Sequence, residues 1–241
     1  MSLRAHEQVL NLYIGTSGFA YSKWKGPFYP TDLPAKQMLS YYGERFRAVE
    51  INNTFRRIPD ASVLERWASE VSTGFKFALK APQGITHFNR LKGVAKPVAQ
   101  FLEAATTLKR RLGPLLFQLP PNFKKDLPRL RHFLTLLPRR FHVALEFRHS
   151  SWFDEETFKL LRKHRAALCI ADAEGELEVP FVATANWGYL RLRQQDYSAR
   201  QLITWAKRIR EQSWRDVYVC FRHEDEGKGP RLARQLMELL K

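Results

Sequence analysis

Two stretches of the chain set a glutamate in the same kind of frame. Ala48-Val49-Glu50-Ile51-Asn52 and Ala144-Leu145-Glu146-Phe147-Arg148 alternate small or polar residues with bulky apolar ones. A period of two is a strand signal: Val49, Ile51, Leu145 and Phe147 face a packed layer, while Glu50 and Glu146 face the other side. Two carboxylates at one barrel mouth could act as base, metal ligand or acid–base pair. Glycoside hydrolysis needs the two carboxyl groups about 5 to 9.5 Å apart, with one of them holding its proton. Neighbouring Lys and Arg oppose that proton, so ionised roles are expected.

The other polar residues at strand ends suit an anionic ligand. They are Ser17 after the first strand, Asn52 after the second, Lys80 after the third and Gln118 after the fourth. Arg148 and Trp152 follow the fifth strand, Asp172 ends the sixth and Arg191 lies on the seventh. Thr86, His87 and Arg90 sit in the loop after Lys80, and His149 follows Arg148. Lys80, Arg90, Arg148 and Arg191 would hold phosphate or carboxylate. His87 and His149 would assist proton transfer, although His149 before Ser150 and Ser151 also reads as a helix cap. The alternative for the whole set is an internal salt-bridge network that neutralises Glu50 and Glu146.

No HExxH or similar spacing is present, and the cationic neighbours disfavour a divalent metal. No cofactor is named by any motif: Gly15-Thr16-Ser17-Gly18 is neither a dinucleotide fingerprint nor a P-loop. Phe19, Tyr21, Trp24, Phe28 and Tyr29, interleaved with Lys23 and Lys25, could stack bases beside phosphates. The same rings could equally pack as a cover over the barrel end.

These side chains need a scaffold that gathers strand ends. Strand-like runs recur at Leu12–Gly15, Ala48–Asn52, Phe75–Lys80, Leu115–Leu119, His142–Phe147, Ala167–Ala171, Tyr189–Arg193 and Val217–Phe221. Helical patterns fill most gaps: Ala35–Phe46, Asp60–Ala68, Pro97–Arg111, Pro128–Leu137, Glu155–His164, Ser198–Arg210 and Pro230–Leu240. Glu174–Gly188 has little helical pattern and reads as a long loop. Eight such units in a 241-residue chain imply an α/β fold, a single TIM-type (β/α)₈ barrel irregular between strands six and seven. The expected division is an N-terminal extension over residues 1–11 and a barrel domain over residues 12–241. An open doubly wound sheet is the alternative.

Lys and Arg total 40 against 24 Asp and Glu, a formal net charge of +16 spread without a basic tail. That excess favours phosphate-bearing partners, nucleic acid included. Cys169 and Cys220 are the only cysteines, which excludes a disulfide framework or a cysteine zinc site. No apolar run approaches the ~18 residues of a membrane helix, and residues 1–11 lack the apolar centre of a signal peptide. A cytoplasmic protein without membrane attachment is expected, and the pattern specifies no oligomeric state.

Five segments carry a resemblance: IGTSGFAYSKWKGPFYP at Ile14–Pro30, VEINNTF at Val49–Phe55, ITHFNRL at Ile85–Leu91, LGPLLFQLPP at Leu112–Pro121 and ALEFRHSSW at Ala144–Trp152. From about Leu12 to Leu240 the chain resembles the domain of unknown function 72, or YecE-like, family. The resemblance implies a TIM-type barrel and leaves the chemistry to the residues. It marks Gly15, Ser17, Tyr21, Trp24, Glu50, Asn52, Thr54, Phe55, His87, Arg90, Gln118, Glu146, Arg148, His149 and Trp152 as signature positions. Departures are Phe19 where Trp is usual, Arg56 where Tyr is usual, Arg193-Gln194 in place of His-Gly, and Phe221-Arg222-His223-Glu224 in place of a Phe-Asn-Asn segment. The expected function is that of a barrel enzyme acting on a phosphorylated or nucleic-acid substrate, with phosphodiester hydrolysis favoured. The alternatives are a non-catalytic nucleic-acid binder and an enzyme for a small carboxylate or sugar.

Overall fold

The computed structural model describes residues 10–173, 175 and 177–241. Most of the expected N-terminal extension, residues 1–9, lies outside the described residues. Eight parallel strands close into one barrel in chain order, with β1 against β8. They are β1 (Asn11–Ser17), β2 (Ala48–Ile51), β3 (Lys76–Lys80), β4 (Leu112–Gln118), β5 (Val143–Glu146), β6 (Ala167–Asp172), β7 (Trp187–Leu192) and β8 (Asp216–Phe221). All eight expected strands are present, so the open sheet is excluded.

Seven α-helices follow among the described residues: α1 (Met38–Gly43), α2 (Ala61–Ser69), α3 (Ala95–Thr106), α4 (Leu127–Thr135), α5 (Glu155–His164), α6 (Ala199–Arg210) and α7 (Lys228–Leu240). Two expected helices prove shorter. Ala35–Phe46 opens with a 3₁₀ turn at Ala35–Gln37, and its α-helix stops at Gly43. The helix expected to reach Arg111 ends at Thr106, and Lys109–Arg111 form a separate 3₁₀ turn with Lys109 at φ 51°. Pro97 and Pro230 each fall third in their helices rather than first. A missing N–H costs nothing there, because the first-turn amides have no intrahelical partner. Local capping sets other ends: Asp154 accepts from the Thr157 amide before α5, and Ser198 with Gln201 forms a capping box before α6.

Between β6 and β7 no α-helix occurs among the described residues. The chain is tied there by Thr184, whose hydroxyl accepts from the Leu168 amide and donates to the Ala166 carbonyl, each at 2.7 Å. Phe181 packs against Trp205 and Trp214. No helix among the described residues is long and apolar enough to cross a membrane.

Strand alternation divides the core in two. Outward residues such as Val49, Phe77, Phe117, Leu145, Leu190 and Val219 form the large layer between sheet and helices. Inward residues form a smaller cluster that includes Ala78, Leu116, Ala144, Cys169, Tyr189, Tyr218 and Cys220. Several of these are small, and that leaves space for Tyr189 and Arg191, both buried, to fill the barrel axis.

Candidate active site at the barrel mouth

Glu50 and Glu146 are both fully buried, at the C-terminal ends of β2 and β5. Each receives a hydrogen bond from its register partner on the preceding strand. Ser17 pairs with Glu50, and its Oγ donates to Glu50 Oε1 at 2.7 Å. Gln118 pairs with Glu146, and its Nε2 donates to Glu146 Oε1 at 2.8 Å. Arg191 reaches across from β7: Nη2 donates to Glu50 Oε1 at 2.8 Å and Nη1 to Glu146 Oε2 at 2.6 Å. The Tyr189 hydroxyl donates to Glu50 Oε2 at 2.7 Å, and Arg148 Nε to Glu146 Oε1 at 3.1 Å.

These contacts fix the protonation states. Burial pushes the Glu50 carboxyl up, but Arg191 and the bonds from Tyr189 and Ser17 hold it below its usual value. Burial opposes ionisation of Glu146 in the same way, and Arg191, Arg148 and Arg193 overcome it, holding that carboxyl at about 2. Both groups are carboxylates near neutral pH, so neither holds the proton a glycosidase acid must donate. The expected salt-bridge network therefore exists at the barrel mouth, centred on Arg191.

Lys80, half-buried at the end of β3, stands apart from it. Its Nζ lies 4.0 Å from the centre of the Phe55 ring. No acidic group hydrogen-bonds to that amine among the described residues. Burial, reinforced by the nearby Arg191 and Arg148 and only partly offset by Glu146 and Glu50, lowers its pKa to about 8. Thr54 fixes the backbone beneath it, donating to the carbonyls of Ile51 and Lys80. His87 packs edge-on against the same Phe55 ring at 4.8 Å. Its Nδ1 is engaged by the Thr86 hydroxyl at 2.9 Å. Burial and then Lys80 and Arg148 lower its pKa, so it is neutral near pH 7.

Asn52 follows β2 with its Oδ1 buried and unpaired, and Arg191 Nε is likewise buried without an acceptor. A cleft of about 340 Å³ opens beside Glu146, between Arg148, Ala171, Val179 and Arg193. A second of about 500 Å³ lies between Arg193, Arg222, His223 and Lys228. A larger one of about 570 Å³ lies at the opposite end, around Tyr13, Lys76, His142 and Tyr218. That end of such barrels serves stability rather than chemistry, and its lining includes none of the residues around the glutamates.

Ser17, Lys80, His87, Gln118, Arg148 and Arg191 thus gather with the glutamates, and others do not. Trp24 is fully buried and its Nε1 donates to the Glu224 carbonyl. Trp152 is fully buried, stacked on Phe147, with its Nε1 donating to the Phe123 carbonyl. Neither indole can meet a ligand, which corrects their expected binding role. His149 caps the turn Ser150–Trp152 through Nδ1, accepting from the Ser151 amide at 3.1 Å. The cap reading accounts for it without a proton-transfer role. Asp172 is held by Gln194 and Tyr197 at the rim. Tyr21 donates to the Ser17 carbonyl at 2.7 Å and braces the first turn, where Gly18 (φ 88°) leaves no Cβ to strike its hydroxyl. Arg90 and Leu91 are both left-handed, at φ 44° and 67°, and no hydrogen bond or ion pair among the described residues joins Arg90 to the two glutamates.

The aromatic loop also resolves as packing. Trp24, Phe28 and Tyr29 are buried, and their rings contact one another, Tyr41 and Tyr42. They offer no exposed platform for bases. His223 of the β8 segment is buried, with Nε2 on the Gln194 carbonyl and Nδ1 unpaired. Among the described residues, no group of three or more His, Cys, Asp or Glu is placed to hold a metal ion. Sequence reasoning passed over Tyr189 as a partner of Glu50, though the alternation that turns Arg191 inward does the same for Tyr189. It also gave no role to the Phe55 ring as the seat of Lys80 and His87.

Comparison with known proteins agrees with this fold. YecE of Escherichia coli K12 is 32% identical over 143 residues, 59% of this chain and 50% of that protein. The chain thus matches about half the length of the YecE relatives. YunF of Bacillus subtilis strain 168 is 27% identical, over 95% of this chain and 94% of that one. A solved DUF72 family structure from Thermotoga maritima superposes with TM-score 0.82 at 27% identity, covering 95% of this chain and 99% of that chain. One from Enterococcus faecalis, at 17% identity and TM-score 0.77, shares the fold. A family model described as protein of unknown function DUF72 matches residues 13–241, and the chain belongs to that family.

Proposed function

We propose that the chain is a barrel enzyme whose mouth binds the anionic, phosphorylated end of a substrate. The observation that carries this reading is the charge balance around the glutamates. Four cations, Lys80, Arg148, Arg191 and Arg193, act on Glu146, and Arg191 also neutralises Glu50. Among the described residues, the cations Lys80 and Arg191 and the guanidiniums beside them bias the mouth toward an incoming anion in a partly desolvated site. Phosphate oxygens would meet Lys80, Arg148 and the Arg193 side of the cleft. Glu50 and Glu146 then act as fixed orienters of Arg191. Proton transfer falls to His87 and Lys80, whose lowered pKa values suit work near neutral pH.

Phosphodiester hydrolysis on this site would use neutral His87 to take a proton from water, with Lys80 and Arg148 on the phosphoryl oxygens. The test is a titration of inorganic phosphate by calorimetry, repeated on Arg148→Gln, with a model phosphodiester as substrate. Saturable binding weakened at least tenfold by the substitution is expected. Binding that ignores Arg148→Gln sinks the assignment.

One observation favours nucleic acid as the carrier of the phosphate. Phe88, beside His87 in a π-helical turn at Gly84–Phe88, is 74% exposed. A bare ring next to a cationic mouth can stack a base. Binding of a single-stranded oligonucleotide should then fall steeply with salt and on Phe88→Ala. The free, buried thiols of Cys169 and Cys220 fit a reducing, cytoplasmic setting.

A further inference from the structure

Arg148, Arg191 and Arg193 bring guanidiniums to the mouth, so a cation of another kind there needs a separate explanation. Lys80 lies close enough to the two glutamates and to Arg191 to feel their charges. Arginine binds oxyanions better than lysine, through its planar fork. What lysine adds is the ability to lose a proton and become a nucleophile.

The geometry at Lys80 favours that form. Arg191 takes an oxygen of each carboxylate, and among the described residues neither carboxylate hydrogen-bonds to the Lys80 amine. The amine sits half-buried over Phe55, and His87 packs edge-on to the same ring. With Nδ1 held by Thr86, His87 presents Nε2 as its working nitrogen. An amine, a neutral imidazole and a cationic anion seat thus occupy one mouth.

We propose that Lys80 Nζ is an imine-forming nucleophile, and that the substrate class is an aldehyde or ketone carrying an anionic group. The anionic half of this rests on the reading above; the carbonyl half is new. Nζ donates its lone pair to the carbonyl carbon, forming the N–C bond while the C–O π pair moves onto oxygen. The carbinolamine then loses that oxygen as water, which carries away the two protons of the amine. His87 Nε2 shuttles those protons. The step needs no oxidant or reductant.

The experiment uses the full chain with pyridoxal phosphate, a phosphorylated aldehyde, followed by borohydride reduction and peptide mapping. Lys80 should be modified about tenfold faster than the exposed Lys36, because a depressed pKa enlarges the free-amine fraction. The rate should rise with pH through about 8, and inorganic phosphate should protect. Lys80→Arg should lose the adduct at that peptide while the surface lysines are modified as before. Modification of surface lysines alone, or of Lys80 no faster than Lys36, overturns the proposal. Saturable phosphate binding without modification of Lys80 also overturns it, and leaves the anionic reading standing. Equal modification of Lys80 by pyridoxal lacking phosphate, without protection, upholds the amine and removes the anionic reading.

Discussion

Glu50 and Glu146 lie on strands β2 and β5 and share one guanidinium. Arg191, from β7, bonds the first at 2.8 Å and the second at 2.6 Å. The three side chains form a buried ion triad with net charge −1, supplemented by Arg148. Such a triad is weak evidence for stability in itself, yet removing its centre strands two buried charges. Arg191→Met is therefore expected to lower unfolding free energy by about 3–5 kcal/mol. Adding Glu50→Gln and Glu146→Gln should recover most of that loss. Denaturant midpoints with unchanged slopes decide the matter; a single variant as stable as wild type would show the triad to be dispensable.

Acid sensitivity follows from the same contacts. The folded pKa of Glu146, about 2, lies below the ordinary glutamate value of 4.5. A depressed folded pKa contributes stability above the unfolded value and loses it as pH falls through the folded one. The shift corresponds to stability on the order of 3 kcal/mol, lost between about pH 4.5 and pH 2. Glu50, shifted in the same direction, adds to the loss. Thermal melts across that window should show a steep fall in Tm, and Glu146→Gln should flatten it. A wild-type Tm that stays level down to pH 2 contradicts the ionised triad.

The barrel was legible in the chain because a parallel sheet writes a simple code: apolar alternation on eight runs, separated by helical periods. Glu50 and Glu146 were legible for the same reason, since a charge at an inward strand position has few structural uses. What alternation cannot convey is which cation reaches which acid. Lys80, Arg148 and Arg191 all read as inward, but only barrel closure, with β1 against β8, sets Arg191 where it spans both glutamates. The loops were least legible. Trp24 and Trp152 follow strand ends as ligand contacts do, and His149 stands where a catalytic histidine could. Their burial and capping roles depend on segments distant in sequence, as in the bond from Trp24 to Glu224.

The two buried indoles give a test that separates scaffold from site. Trp24→Phe and Trp152→Phe each remove one hydrogen bond to a backbone carbonyl and some buried ring volume. Each should cost about 1–3 kcal/mol of stability, the carbonyl being left without its donor. Phosphate affinity measured below the melting range should stay within about twofold of wild type. A tenfold loss of affinity in a folded Trp152→Phe variant would return that indole to the ligand site.

The protonation of Lys80 should also be visible in anion binding. Sulfate is the useful probe, because its charge is constant where phosphate itself titrates. Lys80 is charged below about pH 8 and neutral above it. Sulfate affinity should therefore be level on the acid side and fall as pH rises through 8. A lost charge-assisted hydrogen bond of about 1.5–3 kcal/mol makes the fall roughly tenfold or more. Lys80→Arg should bind as tightly as the acid limb and show no step, since its guanidinium stays charged throughout. Lys80→Met should also show no step, at the weaker affinity of the alkaline limb. The sign matters: desolvation and the neighbouring guanidiniums destabilise the ammonium, and a bound anion restores it, so sulfate should move the Lys80 titration upward. A downward shift, or a step that persists in Lys80→Met, would assign the titrating cation elsewhere and remove Lys80 from the anion seat.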